Sequence, residues 1–384
     1  MNMTRIRVVA SKECREILRD RLFFTLAFVV PASLMLLFGY GISLDVENIP
    51  FAALDYDNSS MSRDYLHRFI DSRYFDYKGS VRTERDLDPM LAHSDIRFAI
   101  IIPPKFQENL MAGRPVAVQS IIDGTFPFRT STSKGYVIAI NAEFNGELLA
   151  GYISRHLGIS QKQAAVMAQP VGFQLRYLYN QEIKSIWSIA SAMMMLVLMI
   201  CPPFLTALGV VREKENGSIY NIYASTVTRG EFLMGKLAPY VGISVINILI
   251  LWFMATFVFG APFKGDPFFF FIVSVIYITC TTGIGLLVSL IVYTQVAAMM
   301  LTTIVTLVPS VLYSGLLVPI ASMDAESKFE AHLFPAMYYT EIALGSFLKG
   351  IGLEQLWGNA LVLALYAGCL WTLSYFLFNK RPKS

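Results

Sequence analysis

Charge is what this chain lacks most. Only 15% of its 384 residues are Asp, Glu, Lys or Arg, against 55% hydrophobic, whereas a soluble protein carries roughly 25% charged residues. The deficit is concentrated in six apolar runs that contain no Asp, Glu, Lys, Arg or His: Leu22–Ile42, Ile186–Val210, Leu237–Phe259, Phe268–Val292, Val296–Ile320 and Trp357–Phe378. Each is long enough to cross a bilayer as a helix. The missing intramembrane charges exclude the ion-binding groups on which secondary transporters generally depend. Energy for any transport must therefore come from outside the membrane.

Cysteine is also scarce. Cys14, Cys201, Cys280 and Cys369 leave residues 44–184 without a thiol, which excludes a disulfide framework and a cysteine metal site there. His67, His93, His156 and His332 are scattered, with no His-Glu-x-x-His helix. The turn Asp55-Tyr-Asp-Asn-Ser lacks the later ligand positions of a calcium loop. No metal site, catalytic pairing, internal repeat or low-complexity tract is found, so no catalytic site is expected in the chain itself. The first apolar run is too long for a signal-peptide core and reads as an uncleaved anchor.

What charge there is lies on one side of the spans. Arg5, Arg7, Lys12, Arg15, Arg19 and Arg21 precede the first run. Arg212, Lys214, Arg229 and Lys236 lie between the second and third, and Lys380, Arg381 and Lys383 follow the last; the other connections offer Lys264, Lys328 and Lys349. The positive-inside bias makes both termini and the 211–236 segment cytoplasmic. It also accounts for the formal net charge of +3, so nucleic acid is not an expected partner.

The expected fold is an α-helical integral membrane protein with six transmembrane helices arranged one plus five. An α/β or α+β external domain is inserted after the first span. Residues 1–21 form an amphipathic cytoplasmic helix, with Ile6, Val9, Ala10, Ile17 and Leu18 on or near one face and cations around the rest. Such a helix would lie in the headgroup plane against membrane lipid. The first span occupies 22–43, the external domain 44–184, the five-helix block 185–379 and a short tail 380–384. In the external domain, strands are expected at Ile49–Asp55, Arg97–Pro103, Val116–Asp123 and Val171–Tyr179. Helices are expected at Ser62–Phe75, Lys105–Ala112, Arg129–Leu157 and Gln161–Gln169.

The polar island Arg212–Lys236 is the most informative segment. Gly230 to Lys236 fits the first seven positions of a P-loop, but Leu237 stands where the magnesium-binding hydroxyl belongs and no strand precedes Gly230. Thr228-x-x-Glu231 is instead a capping box that begins the third span. Ile219, Ile222 and Tyr223 sit at helical spacing, giving either a short helix with an apolar edge that could seat in a partner's groove or a solvated loop with an incidental apolar stripe. Asn247, Thr279, Thr281, Thr282, Ser289, Thr302, Thr303, Thr306 and Ser310 are polar but uncharged residues within spans, suited to close helix packing. The Thr302-Thr-x-x-Thr306 row with Pro309 offers an alternative as the lining of a translocation surface.

Val211-Arg-Glu-Lys-Glu-Asn-Gly-Ser, followed by Glu231 and Gly235-Lys236, resembles the cytoplasmic loop of type 2 ABC exporter permeases. Ser314-Gly315-Leu-Leu-Val-Pro319 and Pro335 with Tyr338-Tyr339 are similar to later segments of that family. The layout resembles its branch with a large external domain after the first span. Two features depart from the family's pattern: the Thr226–Arg229 region lacks a proline, and Ser218 stands where threonine is common.

The resemblance implies a coupling helix near Ile219–Tyr223 that docks on an ABC ATPase subunit, which itself holds ATP and magnesium. Arg212, Glu213, Lys214, Glu215, Gly217, Ser218, Ile219, Ile222, Tyr223, Glu231 and Lys236 would make or position that contact. Thr302, Thr303, Thr306, Pro309, Ser314 and Gly315 are the candidates for a translocation path. The other partners implied are a second permease copy or sister permease and a periplasmic adaptor of the membrane-fusion type. The function expected is outward movement of an amphipathic drug-like or lipid-like molecule across a bacterial inner membrane. A mechanotransmitter driving periplasmic partners, or a receptor or scaffold without an ATPase, are the alternatives.

Overall fold

Among the described residues, six helices are long and apolar enough to cross a membrane: Arg21–Gly41, Ser185–Glu215, Arg229–Val258, Pro267–Ile291, Gln295–Tyr313 and Leu353–Leu377. They coincide with the six apolar runs and are called the first to sixth spans below. The computed structural model describes residues 2–42, 45–169, 176, 178–218 and 227–378. The chain divides into two compact units, Met1–Ser43 with Tyr177–Ser384, and Leu44–Arg176.

In the first unit the second span is the central helix, buried almost from end to end. The third, fourth and fifth spans pack around it, and close approach is bought with small residues. A Cβ on Gly285 of the fourth span would overlap the backbone of Pro203 in the second, so the two helices meet nearly backbone to backbone. The fifth span buries Ala298, Thr302, Thr306 and Ser310, one residue every fourth position along a single stripe. It ends at Tyr313, earlier than the apolar run that continues to Ile320. Gly315 takes a left-handed φ of 82° and turns the chain.

Proline shapes the first span. Pro31 has no N–H to offer the carbonyl of Ala27 four residues back. The helix passes through a π turn at Thr25–Val29 just before it. The Ala27 carbonyl is satisfied from outside, accepting the buried Asn247 amide of the third span at 2.9 Å.

The segment Ser322–Gln355 reads in the sequence as a connection. Its first half bears the helix Ala325–His332, but its second half, Pro335–Leu344 with a π turn to Lys349, belongs to the core. Tyr339 stacks on Tyr277 of the fourth span with ring centroids 4.1 Å apart, and its hydroxyl lies 2.7 Å from that of Ser274. Ala336, Ile342 and Phe347 are buried beside it.

The second unit is a four-stranded sheet of order β2-β1-β3-β4, with β1 Ile49–Asp55, β2 Phe75–Ser80, β3 Phe98–Ile102 and β4 Gln119–Ile122. β1 runs parallel to β2 and β3, and β4 is antiparallel to β3. The parallel pairs need helical crossovers, supplied by Ser60–Ile70 and Glu84–Ala92.

Side chains alternate between two cores, as the pleat requires. Phe51, Phe98, Ile100 and Ile102 pack with Tyr65, Phe69 and Phe144, while Ala52, Leu54, Ala99 and Ile101 pack with Leu87. The helix expected at Ser62–Phe75 ends at Ile70, and Phe75 instead begins β2, where no strand is predicted; Glu84–Ala92 lies where no helix is predicted. The long helix Pro127–Leu157 and the shorter Gln161–Ala168 follow β4. The strand expected at Val171–Tyr179 lies mostly outside the described residues.

Candidate functional site

The island lies between two helix ends held by a third helix. That third element is α1, Met3–Arg19, whose inner stripe of Ile6, Val9, Glu13 and Ile17 faces the spans. It lies lengthwise against the first turns of the third span, where Gly235 removes the obstacle: a Cβ there would lie 2.8 Å from Val9 Cβ. Asn2 N–H donates to Glu231 at 2.6 Å, and Arg5 stands 3.6 Å from the same carboxylate. The Thr228–Glu231 capping box is formed, with Thr228 N–H donating to Glu231 Oε2 at 2.9 Å. Gly230 to Lys236 therefore lies in a helix and not in a phosphate-binding loop.

Lys236 sits in the interior, 1% exposed, a position that a lysine holds only when paired. Its ammonium donates to Glu13 of α1 and lies 3.2 Å from Glu213 of the second span. Lys12 donates to Glu213 at 2.9 Å, and Tyr240 Oη to the second Glu13 oxygen at 2.9 Å. Gly209 makes room for that hydroxyl, which a Cβ would overlap. Burial pushes the Glu13 carboxyl above its ordinary range despite the attraction of Lys236.

Oxygens of Glu13, Glu16 and Glu213 approach within 4.8 Å of one another, as metal ligands do. The Lys236 and Lys12 ammonium groups already serve as their counter-ions, so the cluster is an ion-pair network.

At the end of the second span, four consecutive side chains point in four directions, as 100° per residue dictates. Arg212 bonds Asp20 at 2.6 Å, at the junction of α1 and the first span. Burial opposes ionisation of Asp20, but the Arg212 bond and the Leu22 and Phe23 amides outweigh it and hold that carboxyl low. Glu213 takes the two lysines. Lys214 donates to the Ser289 carbonyl of the fourth span. Glu215 accepts the backbone and side-chain N–H of Gln295 at 3.0 Å each, capping the fifth span. The helix stops at Gly217, φ 71°, and the Ser218 hydroxyl reaches the Glu213 carbonyl at 3.4 Å. Ile219, Ile222 and Tyr223 lie outside the described residues.

The structure thus brings Arg212, Glu213, Lys214, Glu215, Glu231 and Lys236 together, engaged with elements of their own chain. Glu13, Lys12, Asp20 and Tyr240, which sequence reasoning passed over, complete the cluster. Glu13 carried a readable signal, a carboxylate in the middle of an apolar helical stripe. The fifth-span candidates form no such constellation. Thr302 and Thr306 are buried in the stripe described above, and Thr306 donates to the Thr302 carbonyl at 2.8 Å. Thr303 is half-buried and donates to the Met299 carbonyl at 2.8 Å, Pro309 lies within the helix, and Ser314 and Gly315 form the turn after it.

Six apolar helices, the second of them buried among the others, with an ion-paired junction at the end of that helix, define a multi-pass membrane protein. The chain belongs to the ABC-2 family transporter proteins, whose family model matches residues 22–376. It is 28% identical to the probable multidrug ABC transporter permease YbhS of Escherichia coli K12, over 91% of this chain and 90% of that one. It is 26% identical to the inner membrane transport permease YhhJ of the same organism, over 96% and 95%. A similarity of 19% identity to ABC transporter G family member 20 of Dictyostelium discoideum covers 98% of this chain and 51% of that protein. Membership implies an ABC ATPase partner and a permease dimer.

Proposed function

We propose that the chain couples ATP hydrolysis on a partner ABC ATPase to outward movement of an amphipathic drug-like or lipid-like molecule across a bacterial inner membrane. ATP and magnesium belong to the ATPase. Two permeases, identical or sister subunits, stand side by side, with both termini and the island cytoplasmic. The spans are arranged one plus five, and the sheet unit lies outside, where it accepts cargo or a periplasmic adaptor. α1 meets membrane lipid on the cytoplasmic side. The word multidrug in the names of relatives, and the absence of charge within the six apolar runs, support this cargo class.

The observation that carries the reading is the hub at the end of the second span. Arg212 to Glu215 tie this helix to α1 and to the third, fourth and fifth spans. A push on residues 216–228 is therefore delivered to all of them together. Gly217, Ser218, Ile219, Ile222 and Tyr223 make the ATPase contact. The translocation path lies between two permeases, with the Thr303 side of the fifth span available to line it.

The test is co-purification of the ATPase with permease carrying Glu215→Ala or Gly217→Val, followed by vesicle transport. Loss of ATPase recruitment or of coupling is expected. Normal binding and coupling in both variants would sink the site assignment. Stimulated ATPase activity without movement of any cargo would instead favour a mechanotransmitter, a reading that the separately cored sheet unit supports.

A further inference from the structure

We propose that the outer face of α1 is a binding site for anionic phospholipid headgroups. The inner stripe of α1 is taken up by the spans, but the opposite stripe is not. Arg7, Ser11, Arg15 and Arg19 follow one another at four-residue steps and are all exposed, which lines them along about 18 Å of helix. They border an open groove of about 750 Å³, closed on its other side by Arg212.

The acids in the groove are already committed. Glu16 lies 3.6 Å from Lys12, and Asp20 holds Arg212. Arg7, Arg15 and Arg19 have no carboxylate partner among the described residues. The undescribed residues cannot supply a carboxylate side chain, because none of them is Asp or Glu.

Two observations choose a lipid over a soluble anion or an acidic protein. Large apolar side chains stand exposed around the arginines: Met3 at 75%, Val8 at 65%, Leu18 at 62% and Leu22 at 55%. Cations interleaved with apolar anchors suit the boundary between headgroups and acyl chains. Position agrees, since Asp20 alone separates α1 from the first span. Arg15 and Arg19 thus lie within two turns of the apolar core, at the depth of lipid phosphates. The inference rests on the cytoplasmic, membrane-surface placement of α1 proposed above, and it adds the ligand class and the residues that hold it.

The test uses the full-length permease in vesicles of mixed phosphatidylglycerol and phosphatidylethanolamine. The purified protein is then extracted, and retained lipid is counted by mass spectrometry. Replacing Arg7, Arg15 and Arg19 by Gln should lower retained phosphatidylglycerol by roughly fivefold per arginine, leaving phosphatidylethanolamine unchanged. Replacing Arg82, Lys105 and Lys162 of the sheet unit by Gln should leave both unchanged.

An Arg→Lys triple variant keeps the charge and should keep the preference, which separates loss of the site from loss of fold. Equal retention in the Gln triple and wild type would overturn the proposal. Displacement of the lipid by millimolar glycerol phosphate would assign the site to a soluble anion and overturn it too. So would loss of ATPase co-purification in the Gln triple with lipid retention intact, because the face would then be a protein contact. Failure of wild-type permease to bind any ATPase would defeat the transporter reading and leave the lipid result standing.

Discussion

Replacing Lys236 with Met tests the buried junction most directly. The substitution keeps the length and packing of the side chain but removes the ammonium that lies between Glu13 and Glu213. Glu213 retains Lys12 at 2.9 Å. Glu13 is left with only the Tyr240 hydroxyl, in a site where its side chain is 3% exposed. Removing one partner of a buried pair costs ~3–5 kcal/mol, because the other charge stays behind unpaired. In thermal unfolding this is a fall on the order of 10 °C.

The defect must depend on pH. Burial already raises the Glu13 carboxyl, and losing Lys236 raises it further. A carboxyl whose folded pKa lies above its unfolded value binds protons more tightly when folded. Stability is then lost as pH rises from the ordinary value of 4.5 through the raised one. The Lys236→Met deficit should therefore be larger at pH 8 than at pH 5. Adding Glu13→Leu removes the stranded charge, and replacing a buried pair by apolar groups is often neutral or better. The double variant should recover most of the loss at pH 8. Melting curves of detergent-purified protein, followed by light scattering, give all four numbers. A single variant as stable as wild type, or a double variant no better than the single at pH 8, would refute the reasoning.

Further outcomes are expected at three places. Gly209→Ala should displace Tyr240 from Glu13 and cost ~1–3 kcal/mol of stability, while Tyr240→Phe, which keeps the ring and loses the charged hydrogen bond, should cost ~1.5–3 kcal/mol; the same melting assay reads both. Asn247→Leu should strand the Ala27 carbonyl and cost ~1–2 kcal/mol, with faster hydrogen exchange in the first span as its local signature. In the sheet unit, the Ser59 hydroxyl and the Phe106 and Gln107 amides hold the Asp57 carboxyl below its ordinary 3.8. Its contribution should be complete above that value and lost as pH falls through the lowered one, so hydrogen-exchange protection of Phe106 and Gln107 should drop at acid pH, and Asp57→Asn should flatten the profile.

The spans were legible because each is an uninterrupted apolar run, a pattern set by the bilayer and independent of partners. β1 and β3 were legible as short apolar stretches bounded by turns. β2 was not, because Phe75-Asp-Tyr-Lys-Gly-Ser is half polar and flanks the sheet, and Glu84–Ala92 was hidden by its charges and Pro89. The buried helix at Pro335 is too short to register as a span and follows a charged stretch, so nothing local marks it as core. At the junction, composition revealed that charges cluster from Arg212 to Lys236. It did not reveal where each points. That is decided by helix phase and by Glu13, a partner 223 residues from Lys236 in the chain.

The bond between Asn247 and the Ala27 carbonyl bears on how the molecule is made. The two residues are 220 positions apart, and synthesis proceeds at about 5–20 residues per second, so roughly 10–45 s separate their appearance. Through that interval the Ala27 carbonyl lacks both the donor that Pro31 cannot supply and the Asn247 amide. It must be kept beside water or the insertion machinery, or bear the cost of an orphan acceptor in lipid. The proline that shapes the first span therefore sets an order of assembly, in which that span cannot settle until the third has arrived.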